Sequence, residues 1–162
     1  MSNAPTIDFT PPPMLAHTVA DGATPAGIFG SPRRYVQGEG LIDEAGHYLG
    51  ALGFQRAAVL LSTRSQAAEG KRLLASLQRA GIPAELATFG GECSLEEIEQ
   101  HTSTLGDLDQ APDVLIAIGG GKAVDTGKAI AHRLGIPSVM VPSLASNDAP
   151  CAAVSVIYTA QG

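Results

Sequence analysis

The sequence contains no tryptophan, little charge and only two cysteines, and each scarcity argues against a class of protein. Cys93 and Cys151 are too few for a disulfide framework, and neither belongs to a C-x-x-C pair, so a redox or zinc-knuckle role has no support. Charged residues make up 16% and hydrophobic residues 44% of the chain, which is the balance of a globular protein and not of a disordered one. The net charge of −6 argues against nucleic acid as the main partner, because phosphate binding needs a basic face.

Long apolar runs are also missing. No run approaches the roughly 20 residues that a membrane span needs, and the N-terminal stretch has neither the basic region nor the apolar region of a secretory signal. The cytoplasm is therefore the expected compartment, without a membrane partner. The four histidines, His17, His47, His101 and His132, share no H-x-x-x-H spacing, so we expect no metal site from them.

The chain divides into a tail and one domain. Residues 1–26 are rich in Pro, Ala and Thr and include the run Pro11-Pro12-Pro13, which cannot lie in a helix interior. We expect a flexible tail there, with an added segment or an arm as the alternatives. Residues 27–162 are enough for one folded domain with a real core, and not for a large two-domain enzyme.

Strand-like and helix-like segments alternate along this domain. Apolar runs predict strands at 57–61, 84–89, 114–118 and 138–141, and residues 34–37 have the composition of a further short strand. Helical spacing predicts helices at 41–52, 65–80, 95–105 and 122–134. The alternation predicts an α/β fold: a doubly wound, Rossmann-like parallel sheet with helices on both faces.

Helix ends carry recognisable signals. Gly81 and Gly135 each stand just past a predicted helix, with a proline two residues further on. Ser94 and Glu97 form a capping box, in which the Ser94 hydroxyl accepts a hydrogen bond from the Glu97 N–H and the Glu97 side chain reaches back.

The run Gly119-Gly120-Gly121-Lys122 follows a buried strand and opens a helix. Helix N-termini present unpaired N–H groups, and glycines allow a phosphate to come close, so the run suits a pyrophosphate. The run is neither a Walker A loop nor a G-x-G-x-x-G fingerprint, because Ile116, Ala123 and Val124 break those patterns. The alternative is a plain strand-to-helix turn, with Asp125 and Lys128 as a solvated i, i+3 charge pair on the helix.

A second polar segment, residues 142–150, follows the last predicted strand. It concentrates hydroxyls and a single carboxylate between two prolines: Ser143, Ser146 and Asp148. In open parallel sheets ligands bind at the carboxyl ends of the strands, which is where both segments stand. A capped surface turn is the alternative for this segment, since Ser, Asn and Asp favour turns.

Together these segments resemble the glycerol dehydrogenases of the iron-containing (group III) alcohol dehydrogenase family. The resemblance spans about residues 29–162, which would make the chain the N-terminal domain of such an enzyme. It is carried by G-G-G-K-x-x-D-x-x-K at 119–128, by P-S-L-A-S-N-D-A-P-C at 142–151 with A-V-S-V-I-Y at 153–158, and by the opening 31–38, which is similar to the family's first strand. The loop ending in Asp148-Ala149-Pro150 points to the glycerol branch.

The resemblance implies NAD-linked oxidation of glycerol to dihydroxyacetone and of related vicinal diols. It implies that Gly119, Gly120, Gly121 and Lys122 hold the pyrophosphate and that Asp125 lies by the cofactor. The remaining implied contacts are Ser143 and Ser146 on the adenine and phosphate side, Ala152, Val154 and Tyr158 at the nicotinamide end, and Asp148 on a substrate hydroxyl.

Two departures from the family pattern stand out. The family usually has an acidic residue after the strand corresponding to 57–61, where this chain has Ser62-Thr63-Arg64, so NADP is an alternative to NAD. Family members are also more than twice as long, and a helical C-terminal domain supplies one Asp and two His to a divalent metal, usually zinc. That domain is absent here, so we expect no metal ligand in this chain.

The main interpretation is that this chain supplies the cofactor-binding half of a polyol dehydrogenase. Three alternatives remain: a nucleotide-binding module without catalysis, a relative of glycerol-1-phosphate dehydrogenase or dehydroquinate synthase, and a structural protein without a nucleotide. We expect the protein to form a homo-oligomer, because a sheet face that the absent domain normally covers favours self-association.

Overall fold

The computed structural model describes residues 32–159, in which four parallel strands form one sheet. The strands are β1 (Ala57–Leu61), β2 (Ala84–Thr88), β3 (Val114–Gly119) and β4 (Ser138–Pro142), in the spatial order β2-β1-β3-β4. Every residue of β1 and β3 is buried, as expected for central strands covered on both faces. The predicted tail over residues 1–26 lies outside the described residues.

Four helical segments connect and cover the strands. A 3₁₀ turn (Leu41–Glu44) runs into α1 (Ala45–Ala51), and a helical turn (Thr63–Ser65) with a π turn (Gln66–Gly70) runs into α2 (Lys71–Arg79). The others are α3 (Leu95–Gly106) and α4 (Gly121–Leu134), and all four stand where helical spacing predicted them. None of the helices within residues 32–159 combines the length and apolarity needed to cross a membrane.

The core has two layers, one on each face of the sheet. On one face α1 and α2 pack Leu49, Leu73 and Leu77 against alternate strand residues such as Val59 and Ile116. On the other face α3 and α4 pack their apolar side chains against the intervening residues of the same strands. The side chains of this second layer include Leu60, Ile98, Leu105, Leu115 and Ile130. This arrangement confirms the predicted doubly wound sheet.

One predicted strand is wrong. Residues 34–37 form no strand, and neither described edge of the sheet pairs with them. Tyr35 and Val36 are exposed. Their high β propensity reflects packing on a half-buried pleated surface, and the described part of the chain offers this segment no such surface.

The helix ends follow the sequence signals, with one difference. Gly81 and Gly135 adopt φ of 72° and 67°, the left-handed conformation that ends a helix. The Ser94 hydroxyl accepts from the Glu97 N–H at 3.2 Å. The Glu97 carboxylate does not reach back to Ser94 as predicted, because it accepts instead from the Gly90 N–H at 2.7 Å. The cap therefore also fixes the loop that follows β2.

Helix α4 lies unusually close to β3. A Cβ added at Gly127 would stand 2.4 Å from the Ala117 Cβ, so only glycine permits this approach. The contact holds the N-terminus of α4 at the carboxyl end of the strand that precedes it.

Candidate functional site

The two polar segments that the sequence singled out meet at one edge of the sheet. Leu61 pairs with Ile118 and Gly119 pairs with Pro142, so β1, β3 and β4 end side by side. The Ser143 N–H donates to the Gly119 carbonyl at 2.9 Å and joins the two segments directly. The strand order reverses between β1 and β3, and such a switch point leaves a crevice where open α/β sheets bind ligands.

The N-terminus of α4 opens into this edge without a cap. Gly120 is the N-cap residue, and no side chain within residues 32–159 accepts a hydrogen bond from the first turn. The Gly120 carbonyl accepts from the Val124 N–H at 3.1 Å, which leaves the amides of residues 121–123 without an intrahelical partner. Together with the positive end of the helix dipole, these amides suit an anion.

The fold requires glycine at only one of the three positions of the glycine run. Gly119 has φ of 156°, and a Cβ there would stand 2.7 Å from the Ala123 Cβ, so the fold itself requires it. At Gly120 and Gly121 an added Cβ would meet only ordinary contacts, each at 3.6 Å. Packing therefore does not demand glycine at these two positions. A ligand approaching the backbone closely would demand it.

The loop after β4 covers the N-terminus of α4. Its Leu144 Cδ1 is the nearest atom to a Cβ built at Gly120, and Asn147 and Ala149 are nearest to one built at Gly121. Asp148, between those two residues, is exposed, and so are Ser143 and Ser146. The structure thus brings the predicted pyrophosphate cradle and the loop with the predicted substrate contact together.

The same loop also contains the hydrogen bonds of a turn, as the alternative had it. The Asn147 Nδ2 donates to the Leu144 carbonyl at 3.1 Å, and the N–H groups of Cys151 and Ala152 donate to the Asp148 carbonyl at 2.9 Å. These bonds use the backbone of Asp148, and within residues 32–159 its carboxylate forms no hydrogen bond of its own.

Asp125 and Lys128 form the predicted i, i+3 pair, but the pair is buried and not solvated. The Lys128 Nζ lies 2.8 Å from the Asp125 Oδ1, with side chains only 14% and 9% exposed. The other oxygen of Asp125 accepts from the Val156 N–H at 3.1 Å. The carboxylate therefore anchors the segment that follows the second loop, and its contact with a cofactor stays a prediction.

Lys128 organises the chain beyond β4 in a way that the sequence did not reveal. Its Nζ donates to the carbonyls of Ala149 at 2.9 Å and Ala152 at 3.1 Å, and also to that of Val154. One ammonium thus gathers the end of the second loop and the segment that carries Ala152 and Val154. The motif spacing placed Lys128 near the site, but only the fold shows which carbonyls it reaches.

Lys122 is held by a residue that sequence reasoning missed. Its Nζ lies 2.6 Å from the Glu92 Oε2 and 4.9 Å from the centre of the Tyr158 ring. The hydrogen bond from Lys122 lowers the pKa of Glu92, and the same bond raises the pKa of Lys122. The glycine-rich turn before Glu92, directly after a strand, is the signal that could have found it.

The predicted nicotinamide-side residues lie on the segment that Lys128 and Asp125 hold. Ala152 is half-buried, Val154 is exposed, and Tyr158 bridges to Ser94 through a backbone pairing. The Tyr158 N–H donates to the Cys93 carbonyl at 2.7 Å. This segment therefore connects the loop after β2 with the face of α4.

Residues 32–159 do not provide a metal site. Within them no three His, Cys, Asp or Glu side chains come together in a group that could hold an ion. Cys93 and Cys151 are both free thiols, and burial raises the pKa of Cys93, which disfavours its reactive thiolate.

Comparison with known proteins gives consistent matches. Residues 32–162 match the family model described as iron-containing alcohol dehydrogenase. The chain is 41% identical over 131 residues to a glycerol dehydrogenase of Thermotoga maritima, covering 81% of this chain and 35% of that protein. It is 41% identical over 135 residues to a glycerol dehydrogenase of Escherichia coli O6:H1, covering 83% and 36%.

A solved structure agrees with these sequence matches. The crystal structure of glycerol dehydrogenase from Schizosaccharomyces pombe superposes with a TM-score of 0.75 at 34% identity, covering 85% of this chain and 34% of that one. The chain therefore spans about a third of the length of the relatives it matches.

Proposed function

The chain belongs to the iron-containing alcohol dehydrogenase family, and from that premise we propose that it forms the NAD-binding half of a glycerol dehydrogenase. The reaction is the oxidation of glycerol, and of related vicinal diols, to the ketone, with dihydroxyacetone as the product from glycerol. One observation carries the proposal: the uncapped N-terminus of α4 opens at the switch point of the sheet, beneath the loop that bears Asp148. The names of the matched relatives support the substrate class.

The cofactor's phosphates fit the α4 N-terminus. The free amides of residues 121–123 would donate to the pyrophosphate, and the bare backbone at Gly120 and Gly121 leaves room for it. A helix end of this kind contributes only about 0.3–2 kcal/mol to the binding of a negative charge. Lys122 and uncharged contacts with the rest of the cofactor must therefore supply the remaining binding energy. Ser143 and Ser146 would bond the adenine and phosphate side, and Asp125 would lie by the cofactor.

The reactive end of the cofactor would lie along the segment after the second loop, against Ala152, Val154 and Tyr158. When bound, a nicotinamide supplies the hydride acceptor for alcohol oxidation. The protein's part is to orient that ring, and the carbonyl contacts of Lys128 hold this segment in place for it.

Asp148 would bind the substrate. Asp148 is exposed and stands between two residues that lie near the α4 N-terminus, and a carboxylate accepts hydrogen bonds from the hydroxyls of a polyol. No lysine or arginine occurs among residues 143–151, which disfavours a phosphorylated substrate such as glycerol 1-phosphate. The polyol is therefore the better candidate.

Metal chemistry would have to come from outside the described residues, because residues 32–159 bring no ligand set together. For a protein of the relatives' length that contains this chain, we propose zinc over iron, following the glycerol branch of the family. Elemental analysis of such a protein, purified without added metal, would decide between the two: stoichiometric iron would contradict the proposal.

We also propose that the cofactor is NAD and not NADP. The residues at the end of β1 would distinguish the two, because they would contact the adenosine ribose that carries the 2′-phosphate in NADP. Ser62 caps the helical turn that follows, with its hydroxyl accepting from the Ser65 N–H at 3.2 Å. Arg64 is exposed next to it, and no carboxylate stands in this turn. An arginine in this place accommodates a 2′-phosphate, so NADP is the second candidate.

Calorimetric titration of the purified 162-residue chain with NAD tests the proposal. We expect saturable binding that Lys122→Met weakens. No binding at millimolar NAD would contradict the proposal and favour a structural role. Binding without glycerol-dependent NADH formation, even with added zinc, would identify a nucleotide-binding module without catalysis.

We further propose that the protein self-associates. Val154, Val156 and Ile157 form a run that is 69%, 54% and 41% exposed, and apolar surface of this kind favours contact with other protein. Size-exclusion chromatography with light-scattering detection would show self-association as a molecular mass above that of the monomer. The cytoplasmic location stays a prediction from the sequence.

A further inference from the structure

Three segments of the chain meet around the ammonium of Lys122. Glu92 comes from the loop after β2, Lys122 from the first turn of α4, and Tyr158 from the segment beyond β4. Glu92 is itself held, because its second carboxylate oxygen accepts from the Cys93 N–H at 3.0 Å. Tyr158 is held by its own N–H bond to the Cys93 carbonyl at 2.7 Å. The backbone at Cys93 thus fixes both groups that contact Lys122.

Folding stability does not account for this cluster. The side chains of Lys122 and Glu92 are both 48% exposed, and exposed ion pairs contribute little to stability. A lysine in the first turn of a helix is also unfavourable, because its charge opposes the positive end of the helix dipole. A cation placed there at such a disadvantage is best explained by an anionic ligand.

We propose that Glu92 is a positioning residue of the cofactor site: it fixes the Lys122 ammonium against the Tyr158 ring, beside the uncapped N-terminus of α4. This inference rests on the proposed function. A lysine ordered before the phosphates arrive loses less side-chain entropy when they bind, so the affinity for the dinucleotide rises. The hydrogen bond from Lys122 lowers the pKa of Glu92, whose carboxyl group is ionised at neutral pH even at its ordinary pKa.

The sign of one mutational effect separates positioning from simple electrostatics. Charge alone predicts that Glu92→Gln tightens NAD binding, because it removes a carboxylate that repels phosphates. Positioning predicts that the same variant weakens NAD binding. We expect the Kd for NAD to rise about three- to fivefold, the effect of losing one exposed ion pair.

Calorimetric titration with NAD at fixed low salt provides the test, in a double-mutant cycle with Lys122→Met. Once Lys122 is replaced, Glu92→Gln should have no further weakening effect. Glu99→Gln is the charge-matched control, since Glu99 is exposed and its side chain forms no hydrogen bond or ion pair within residues 32–159. Its Kd should equal that of the parent. A Kd for Glu92→Gln equal to or below that of the parent would overturn the inference.

A ligand-free measurement distinguishes failure of this inference from failure of the proposed function. Nuclear Overhauser contacts between the Lys122 ε-methylene and the Tyr158 ring should appear in the parent chain and disappear in Glu92→Gln. Their persistence in the variant would show that Glu92 does not position the lysine. A parent chain with these contacts but without NAD binding would refute the proposed cofactor and leave the positioning of Lys122 by Glu92 standing.

Discussion

Replacing Gly120 with alanine tests whether the glycine run is a ligand site or only a turn. Gly120 has φ of −79° and ψ of −174°, an extended conformation that any residue can adopt. The added Cβ would meet the Leu144 side chain at 3.6 Å, an ordinary contact. We therefore expect the stability of the variant to change by less than about 1 kcal/mol, since the poorer cap offsets the loss of chain entropy in the unfolded state.

Cofactor binding should respond differently. A methyl group on the N-cap residue separates the phosphates from the free amides of α4, and a helix end contributes up to about 2 kcal/mol to such an interaction. Loss of most of that contribution raises the Kd for NAD about tenfold or more. Calorimetry measures the Kd, and thermal unfolding followed by circular dichroism checks the fold.

Gly119→Ala is the matched comparison. Its Cβ would clash with the Ala123 Cβ at 2.7 Å, and the backbone at φ of 156° strains a residue with a side chain. Together these effects should cost about 3 kcal/mol and lower the Tm by about 10 °C. A folded Gly120→Ala that binds NAD as tightly as the parent would refute the placement of the phosphates at this turn.

Three further substitutions test other parts of the site. Lys128→Met should destabilise the chain by about 3 kcal/mol, because it leaves the buried carboxylate of Asp125 without its partner. Amide hydrogen exchange should also speed up at residues 149–156, which the lysine holds in place. Unchanged exchange there would contradict the anchoring role of the lysine. Asp148→Asn should leave the Kd for NAD unchanged and, in a protein of the relatives' length, raise the KM for glycerol at least tenfold. Equal losses for cofactor and polyol would argue against a substrate contact. Ser62→Asp should shift the ratio of the NADP to the NAD Kd toward NAD by about tenfold, because a carboxylate repels the 2′-phosphate. If the ratio does not move, the end of β1 does not face the adenosine ribose.

The sequence predicted most of the fold because local signals and the global arrangement agree. The apolar runs at 57–61 and 114–118 are buried on both faces, and glycines with positive φ end the helices where expected. The strand expected at 34–37 failed because its composition is strand-like but no sheet surface lies next to it in the described structure. Propensity reports what a residue favours, and tertiary contacts decide whether that preference is used.

The candidate site was only partly visible in the sequence. The glycine run and the Asp148 loop could be found because each follows a strand, and parallel strands end at a common edge. Glu92 was missed because its partner, Lys122, is thirty residues away and nothing in the local pattern connects the two. Asp125 and Lys128 were found, but the sequence left open whether they form a solvated pair, and their burial settles that they do not.

By itself, the sequence determined the order of the strands and helices along the chain, the glycine-rich end of β3 and the family resemblance, because these depend on spacing and composition within short segments. The tertiary structure decided which glycine of the 119–121 run the fold requires, which carboxylate contacts Lys122, and which carbonyls accept hydrogen bonds from Lys128. Those outcomes depend on distances between groups that are remote in the chain, and such distances are set only when both layers of helices have packed on the sheet.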